Sequence, residues 1–362
     1  MILKKLVLSS FRNLNRTDFT PGNRFNVFYG NNGQGKTNIL EAVYLLGTMK
    51  SFRHARNRDL IQWQEPFSLL KGIIEQNGVS REITLLIEKE GKKARVDRKS
   101  LERLTDFFGC LNVVIFSPEE LAMVKGAPDL RRRYLDRAVF AADPCYLILH
   151  QEYSRILRNR NALLRSGLHE GLDVWSEKLV ETGSQLVMKR LSWLNGISEL
   201  LQEFHEGIAG TGSRIEIIYR SSPEFSSDEE YAHQLRVALD KKSDEEFRRG
   251  TTQTGPHRDD IEFRLDRRNI KQYASQGEQR SFILALKMAE IEYLSRLHGS
   301  PPVLLLDDMT SELDGDRNRN LLRFLEEKKM QVFITTTALQ NLNIGIRDNY
   351  QMFPVADGNI IH

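Results

Sequence analysis

The sequence has few cysteines, no long apolar run and almost no excess charge. Cys110 and Cys145 are its only cysteines, which excludes a disulfide framework and a zinc site made of cysteines alone. The basic start, residues 1–6 (MILKKL), lacks the apolar core of a signal peptide. No apolar run approaches the roughly 20 residues that cross a membrane. We therefore expect a cytoplasmic protein from a reducing compartment, with no membrane partner.

Positive and negative charges are nearly balanced along the chain. The 362 residues include 52 Lys and Arg against 49 Asp and Glu, which gives a net charge of +3. This average does not mark a nucleic-acid-binding protein, so local basic patches must carry any such argument. The length suits two domains, or one large domain with an insertion.

The strongest motif is the phosphate loop, residues 30–37 (GNNGQGKT), which matches the pattern of Gly, any four residues and Gly-Lys-Thr. A short apolar strand precedes it and a helical pattern follows it. Glycine amides at a helix N-terminus form a nest for phosphate. We expect Lys36 to reach the β- and γ-phosphates and Thr37 to ligate Mg²⁺. The predicted phosphate-binding residues are Gly30, Asn31, Asn32, Gly33, Gln34, Gly35, Lys36 and Thr37.

A pair of carboxylates completes this motif. Residues 303–308 (VLLLDD) are predicted to form a buried parallel strand that ends in Asp307 and Asp308. Ligands bind at the carboxyl ends of such strands. We expect Asp307 to hold Mg²⁺ and Asp308 to orient or deprotonate the attacking water. Alone, two aspartates after a strand would indicate a turn or a helix cap equally well.

The remaining pattern indicates an interrupted α/β domain. The predicted parts are an ATPase head over residues 1–116 and 208–362 and a helical lobe over residues 117–207. Residues 9–16 are predicted to be a polar loop, and residues 67–89 a β-hairpin with a Gln-Asn-Gly turn. This arrangement explains why Thr37 and Asp307 lie so far apart in the sequence.

In their order, these motifs resemble the ATP-binding-cassette heads of SMC-type DNA-repair proteins, and within that group the RecF family. The resemblance covers nearly the whole chain. The matching motifs are residues 11–13 (FRN), 30–38 (GNNGQGKTN), 116–119 (FSPE), 125–126 (KG), 131–136 (RRRYLD), 255–260 (GPHRDD), 275–280 (SQGEQR), 307–308 (DD) and 311–314 (SELD).

The resemblance implies an α/β fold: an ATP-binding-cassette type P-loop ATPase head with an inserted helical lobe. It implies that ATP and Mg²⁺ are bound, with Arg12 and Asn13 among the nucleotide contacts. It also implies an ATP-dependent head-to-head homodimer, in which the signature segment of one subunit closes over the γ-phosphate held by the other, with Asp314 at the seam. The signature residues are Ser275, Gln276, Gly277 and Glu278.

The resemblance also implies weak, DNA-stimulated ATP hydrolysis that is coupled to binding of double-stranded and single-stranded DNA. RecF-like proteins act with RecR and RecO to load RecA at single-stranded gaps. They serve DNA replication, recombination, repair and the SOS response.

The chain departs from transporter-type cassettes at three points. Asp308 stands where those cassettes carry Glu, which makes the catalytic base less certain. Thr336 and Thr337 occupy the region of their His, which leaves the γ-phosphate sensor open. Residues 117–119 (SPE) stand where their Gln is expected.

Two basic segments are candidates for DNA contacts, because Lys and Arg displace the counterions condensed on DNA. A solvated face or internal ion pairs would explain either segment equally well. No base-reading element is visible, so we expect recognition of backbone and junction shape. For His257, Asp259 and Asp260 a structural or dimer-seam role is favoured over a metal site. The candidate DNA contacts are Lys50, Arg53, Arg56, Arg58, Arg131 and Arg132.

Three other classes of protein remain open. A transporter's nucleotide-binding subunit is disfavoured by the helical lobe, the missing His and the basic segments. A small-molecule kinase would need a lid and would leave residues 275–279 without a role. A structural cohesion protein would need a long coiled coil, for which the helical part is too short and too interrupted.

Overall fold

The structure is a computed structural model that describes residues 1–101, 103, 106–210, 212–225, 228–308, 315–337, 339 and 350–361. The segment at residues 311–314, with the predicted seam residue Asp314, lies outside the described residues. The chain divides into two compact units. The first comprises Met1–Leu121 and Arg280–His362, and the second comprises Ala122–Gln279.

The described residues form strands and helices in both compact units. The strands are β1 (Ile2–Phe11), β2 (Leu14–Phe19), β3 (Phe25–Tyr29), β4 (Phe67–Gln76), β5 (Val79–Glu88), β6 (Lys92–Val96), β7 (Lys99–Ser100), β8 (Val113–Phe116), β9 (Ile215–Arg220), β10 (Asp260–Leu265), β11 (Arg268–Asn269), β12 (Val303–Asp307), β13 (Val332–Thr336), β14 (Tyr350–Ala356) and β15 (Asn359–Ile360). The helices are α1 (Lys36–Thr48), α2 (Asn57–Leu60), α3 (Pro118–Lys125), α4 (Pro128–Ala142), α5 (Cys145–Ser166), α6 (Leu172–Ala209), α7 (Asp228–Lys241), α8 (Ser243–Arg249), α9 (Ile270–Tyr273), α10 (Gln276–His298) and α11 (Gly315–Lys328).

A mainly parallel sheet forms the base of the first unit. Its strand order is β15-β14-β3-β13-β12-β8, and only the β14–β15 pair among its pairings is antiparallel. The central strands are runs of buried apolar residues, as expected for a parallel sheet covered on both faces. The sheet brings the ends of β3, β12 and β13 to one edge, although β3 precedes the other two by most of the chain.

The second sheet of the first unit is antiparallel, with strand order β2-β1-β4-β5-β6-β7. The predicted hairpin over residues 67–89 is confirmed as β4 and β5, joined at Asn77 and Gly78. The predicted loop over residues 9–16 is wrong, because β1 and β2 pair across this stretch and leave only a tight turn at Arg12 and Asn13. The reason is burial: Phe11 and Leu14 are both completely buried on either side of that turn.

Helix α1 lies in the core of the first unit. It contacts strands of both sheets, including β1 and β4 of the antiparallel sheet and β12 and β13 of the parallel one. Every residue from Ile39 to Thr48 is buried, even Glu41. Among the residues that the structure describes, no helix combines the length and the apolar character needed to cross a membrane.

The second unit contains α4 to α8 and the small sheet β11-β10-β9. Its extent differs from the predicted lobe, which ended at residue 207, because the unit continues to Gln279. The difference has a simple cause. Strand β9 pairs with β10 rather than with a strand of the first unit, and α7 and α8 pack against α6 and α5.

A cluster of buried polar side chains, here called the Arg190 cluster, joins the elements of the second unit. Arg190 of α6 donates hydrogen bonds to Asp136 (2.8 Å), to the hydroxyls of Tyr146 (2.9 Å) and Tyr219 (3.1 Å), and to the carbonyl of Pro256 (2.9 Å). The Arg190 guanidinium therefore binds α4, α5, β9 and the turn before β10 to α6.

The turn over residues 255–260 belongs to this cluster. The His257 ring contacts the Tyr153 hydroxyl (2.8 Å) and the Thr252 carbonyl (3.2 Å), and burial lowers its pKa to about 4. Asp259 accepts hydrogen bonds from the Tyr219 hydroxyl and the Ser222 amide. Within the described ranges, no three His, Cys, Asp or Glu side chains are grouped so that they could hold a metal ion. These contacts hold the turn against α5, β9 and the neighbouring residues of the second unit.

Candidate nucleotide-binding site

The phosphate loop runs from the end of β3 to the start of α1. Gly30 has a φ of 146°, and a Cβ atom there would lie 2.3 Å from the carbonyl oxygen of Val355. Gly35, which precedes the helix, has a φ of 110°, and a Cβ there would lie 2.9 Å from the Leu14 side chain. Only glycine fits these two positions, since both the backbone conformation and the close neighbours exclude a side chain.

Lys36 folds back over this loop. Its ammonium donates hydrogen bonds to the carbonyl oxygens of Gly30 (2.6 Å) and Asn31 (2.7 Å). Burial lowers the pKa of Lys36, and the nearby carboxylates of Asp308 and Asp307 partly oppose that shift. A cation is thus held beside the amides of a helix N-terminus, which is where an anion binds.

Thr37 and Asp307 meet across the parallel sheet. The Thr37 hydroxyl donates to Asp307 Oδ1 (2.8 Å), although 270 residues separate them in sequence. The Thr335 hydroxyl donates to the same oxygen (2.8 Å) and accepts from the Asp308 amide (2.9 Å). These oxygen atoms are of the kind that Mg²⁺ prefers, so the donor set fits a magnesium ion.

Sequence reasoning missed Thr335. The sequence shows a buried strand followed by a run of three threonines, residues 335–337, but not which of them faces Asp307. The register supplies that answer, because β12 and β13 are parallel neighbours with Asp307 opposite Thr335. Adjacent parallel strands end at one edge, so a polar residue at the end of each is the signal that could have identified Thr335.

An open cavity of about 300 Å³ lies over the phosphate loop. Both Asp308, for which a catalytic role is predicted, and Arg53, which is a candidate DNA contact, line it. The cavity walls are formed by Asn32, Gly33, Gly35, Lys36, Thr37, Asn38, Arg53, Asp308, Thr335 and Thr337.

A larger cavity of about 1100 Å³ shares Gly33, Asn38 and Arg53 with the first. Arg12 and Asn13 line it, together with Trp63, whose side chain is 88% exposed. The two cavities are therefore neighbours at the start of α1.

Arg12 and Asn13 are anchored at the border of these cavities. Arg12 donates two hydrogen bonds to Glu41 (2.8 and 2.9 Å). The side-chain amide of Asn13 donates to the Gly33 carbonyl (3.3 Å), and its side-chain oxygen accepts from the side-chain amide of Asn38 (2.7 Å). Both predicted contacts therefore touch residues of the phosphate loop or of α1.

Gln34 also holds a neighbouring turn. Its side-chain oxygen accepts a hydrogen bond from the Asp357 amide (2.5 Å), and its carbonyl accepts one from the Gly358 amide (3.1 Å). The side chain therefore holds the β14–β15 turn and does not line the cavity. A Cβ at Gly358 would lie 2.0 Å from the Asn13 carbonyl, so this turn also contacts the β1–β2 turn.

The signature segment lies in the second unit, at the start of α10. The Ser275 hydroxyl accepts a hydrogen bond from the Glu278 amide (3.2 Å), and the Glu278 carboxylate accepts one from the Ser275 amide (2.7 Å). This reciprocal pair is a capping box. The hydrogen bonds from Ser275 lower the pKa of Glu278. Ser275, Gln276 and Glu278 are exposed, and Gly277 is half-buried.

The candidate DNA contacts fall into two groups. Lys50, Arg53, Arg56 and Arg58 are exposed. Arg131 is not: its guanidinium is buried and makes two hydrogen bonds to Asp260 (2.8 and 2.7 Å), so the prediction that Arg131 contacts DNA is not supported.

Arg132 is half-buried and donates to the Asp259 carbonyl (2.8 Å). Its position is intermediate between those two groups, because one nitrogen of its guanidinium is already engaged within the second unit.

The whole chain is similar to known proteins. Residues 2–360 match the family described as the RecF/RecN/SMC N terminal domain. The DNA replication and repair protein RecF of Geotalea uraniireducens is 55% identical and that of Geobacter sulfurreducens 52% identical, with 100% and 99% of each chain covered, respectively. Both relatives are therefore matched from end to end.

Solved structures give the same result as the sequence comparisons. The recombination mediator protein RecF with ATP, in the RecFOR pathway, superposes with a TM-score of 0.88 at 31% identity, covering 99% of this chain and 98% of that chain. An SMC head bound to the C-winged helix domain of ScpA has a TM-score of 0.57 at 15% identity, covering 99% and 96%, which supports the fold alone. The fold is thus that of an ATP-binding-cassette type ATPase head, and the chain belongs to the RecF family of DNA replication and repair proteins.

Proposed function

We propose that this chain is an ATP-dependent DNA-binding switch of recombinational repair, in which slow ATP hydrolysis times release from DNA. The observation that carries the proposal is the hydrogen bond between Thr37 and Asp307 at the edge of the parallel sheet. It joins the two halves of a nucleotide and metal site that the sequence keeps far apart.

ATP is the nucleotide that we propose for the cavity over the phosphate loop. Its phosphates would replace the carbonyls of Gly30 and Asn31 as partners of Lys36, which removes a contact between a cation and the loop backbone. The structure of a RecF protein with ATP supports this choice. The nucleoside would occupy the larger cavity beside Arg12 and Trp63.

Hydrolysis requires a metal ion and a positioned water. Mg²⁺, held by Thr37 and Asp307, would neutralise charge on the β- and γ-phosphates. Asp308, which lines the cavity, would orient or deprotonate the water. Positioning and charge neutralisation supply most of the catalysis in phosphoryl transfer. An Asp at the place of the Glu of transporter-type cassettes is consistent with slow turnover.

A homodimer would complete the site. Ser275, Gln276 and Glu278 are exposed at the start of α10, and a second copy of the chain is the partner that we propose for them. The capping box leaves backbone amides at the start of α10, where an anion is favoured. ATP would then bind two subunits together.

DNA at single-strand gaps or duplex junctions is the proposed substrate of the dimer, in the cytoplasm. Lys50, Arg56 and Arg58 are exposed cations suited to phosphate contacts. The naming of relatives as proteins of DNA replication and repair, and of the RecFOR pathway, supports RecR and RecO as partners and RecA loading as the outcome.

Sedimentation velocity tests this function. The wild type is compared with Lys36→Arg, and with Lys241→Arg as a control at an exposed position. Each protein is run alone, with ATP and Mg²⁺, and then with duplex DNA added. We expect ATP-dependent dimers that bind DNA for the wild type and the control, and monomers for Lys36→Arg, since the larger planar guanidinium does not fit the loop. A wild-type monomer that responds to neither ATP nor DNA would overturn the proposal.

A further inference from the structure

Glu41 is a carboxylate in the core of the first unit. It lies on α1, one turn after Thr37, and its side chain has no exposed surface. A buried charge is unfavourable unless other groups pair with it and donate hydrogen bonds to it. The partners of Glu41 therefore show what the protein uses this charge for.

Arg12 is the first of these partners. Its Nε donates to Glu41 Oε2 (2.8 Å) and its Nη2 to Glu41 Oε1 (2.9 Å). Such a two-pronged pair fixes the plane of the guanidinium as well as its distance. The pair holds the β1–β2 turn, whose next residue, Asn13, contacts the Gly33 carbonyl in the phosphate loop.

Ser51 is the second partner. Its hydroxyl donates to Glu41 Oε1 (2.5 Å) and accepts hydrogen bonds from the backbone amides of Arg53 (3.1 Å) and Ala55 (3.2 Å). Glu41 thus orders the turn that carries Arg53. The Arg53 side chain lines the cavity over the phosphate loop.

We propose that Glu41 is a positioning residue of the nucleotide site. One carboxylate fixes Arg12 and the Arg53 turn to the helix that begins with Lys36, so both of these cations, which line the larger cavity, are ordered before ligand binds. Pre-ordered groups bind more tightly, because less conformational freedom is lost on binding. The inference rests on the proposed binding of ATP at this site.

A second buried pair provides a matched control. Arg160 and Glu246 in the second unit lie 2.7 Å apart with 2% and 0% of their side chains exposed. Neither residue lines either cavity described above. Glu246→Gln therefore reproduces the loss of a buried charge pair without touching the nucleotide site, and separates a positioning role from a role in stability alone.

The experiment measures ATP affinity and thermal unfolding for the wild type, Glu41→Gln and Glu246→Gln, with ATP titrations well below every melting temperature. Both variants are expected to melt at lower temperature. Only Glu41→Gln is expected to weaken ATP binding, by about tenfold, as for the loss of a charge-assisted contact. Equal ATP affinity in the two variants would overturn the positioning role.

Ser51→Ala keeps the inference testable if Glu41→Gln does not fold. It leaves the pair of Arg12 and Glu41 intact and releases only the Arg53 turn, so we expect ATP binding to weaken about threefold. An unchanged affinity in Ser51→Ala would then count against the inference. A wild type that binds no ATP would overturn the proposed function itself, whereas a wild type that binds ATP alongside unaffected variants would overturn only the role of Glu41.

Discussion

The nucleotide site of the first unit and the Arg190 cluster of the second unit both consist of charged and polar side chains. In the cluster these side chains pair with one another, whereas in the site they line an open cavity. In the cluster, Arg190 is 3% exposed and its donors are used by Asp136, Tyr146, Tyr219 and a carbonyl. In the site, polar groups line an open cavity of about 300 Å³. Clustered Arg, His and Asp therefore indicate function only where they face space that a ligand can fill.

The carboxylates make the same contrast. Burial raises the pKa of Asp259 in the cluster to about 6, because the surrounding donors only partly offset the loss of water. In the site, Asp307 accepts hydrogen bonds from Thr37 and Thr335 and lies beside Lys36. The Asp259 carboxylate is engaged in contacts within the fold, whereas the Asp307 carboxylate lies at the position that we propose for Mg²⁺.

The largest effect is expected when the cluster is broken. Arg190→Ala leaves the half-buried Asp136 and the buried Asp259 without this cation, so the free energy of unfolding should fall by about 3–5 kcal/mol. Urea unfolding measures the loss. The exposed pair of Arg236 and Glu177 supplies the control, since Arg236→Ala should change stability very little. Similar values for the two variants would remove the distinction between cluster and surface.

A substitution in the nucleotide site should lower ATP affinity without lowering stability. Lys36→Ala should weaken ATP binding by about 10- to 100-fold, through the loss of charge-assisted hydrogen bonds to phosphate. Its stability should not decrease, because burial already disfavours the charged form of Lys36, as its lowered pKa indicates. Calorimetric titration and thermal unfolding of the same sample measure both quantities. A destabilised variant that still binds ATP would reverse the comparison.

The cluster should also give stability a pH dependence. The pKa of His257 is lowered from 6.5 to about 4 in the folded protein, so its contribution is complete above pH 6.5 and is lost as the pH falls toward 4. Between pH 7 and pH 5, His257→Gln should lose about 2 kcal/mol less stability than the wild type.

Urea unfolding of both proteins at the two pH values measures this difference. Asp259, with its raised pKa, acts with the opposite sign, but it is present in both proteins and its effect cancels in the difference. Parallel pH profiles of the two proteins would contradict a lowered pKa of His257 in the folded state.

The smallest expected effect concerns the boundary of the site. Arg53→Ala should weaken ATP binding by about three- to tenfold, because Arg53 lines the cavity. Arg56→Ala, in the same exposed segment but outside both cavities, should leave ATP binding unchanged. Equal effects of the two substitutions would mean that the segment acts only through its general charge.

The sequence predicted what depends on neighbouring residues. The phosphate loop, the β4–β5 hairpin and the strand ending in Asp307 all follow from local patterns of glycine, turn residues and apolar runs. The family and its fold class were also predicted, because the motifs occur in a fixed order along the chain.

Apart from Thr37 and Asp307, which motifs identify, the partners distant in sequence were not predicted. Arg131 was a candidate DNA contact with internal ion pairs as the alternative, and its partner Asp260, 129 positions away, was not identified. Glu41 was not identified as a site residue, since nothing local shows that Arg12 and Ser51 pack against it. The extent of the second unit was missed for the same reason: the partner of β9 is β10, not a strand of the first unit.

The position of β3 in the parallel sheet has a consequence for the order in which the two units fold during synthesis. In the parallel sheet β3 lies between β13 and β14, which follow it by roughly 300 residues. At about 5–20 residues per second, a ribosome needs roughly 15–60 s to supply them. The second unit is continuous in sequence and is finished first. A nascent chain thus acquires its helical lobe early and its nucleotide pocket last, so an interrupted chain carries the phosphate loop without the strands that hold it in shape.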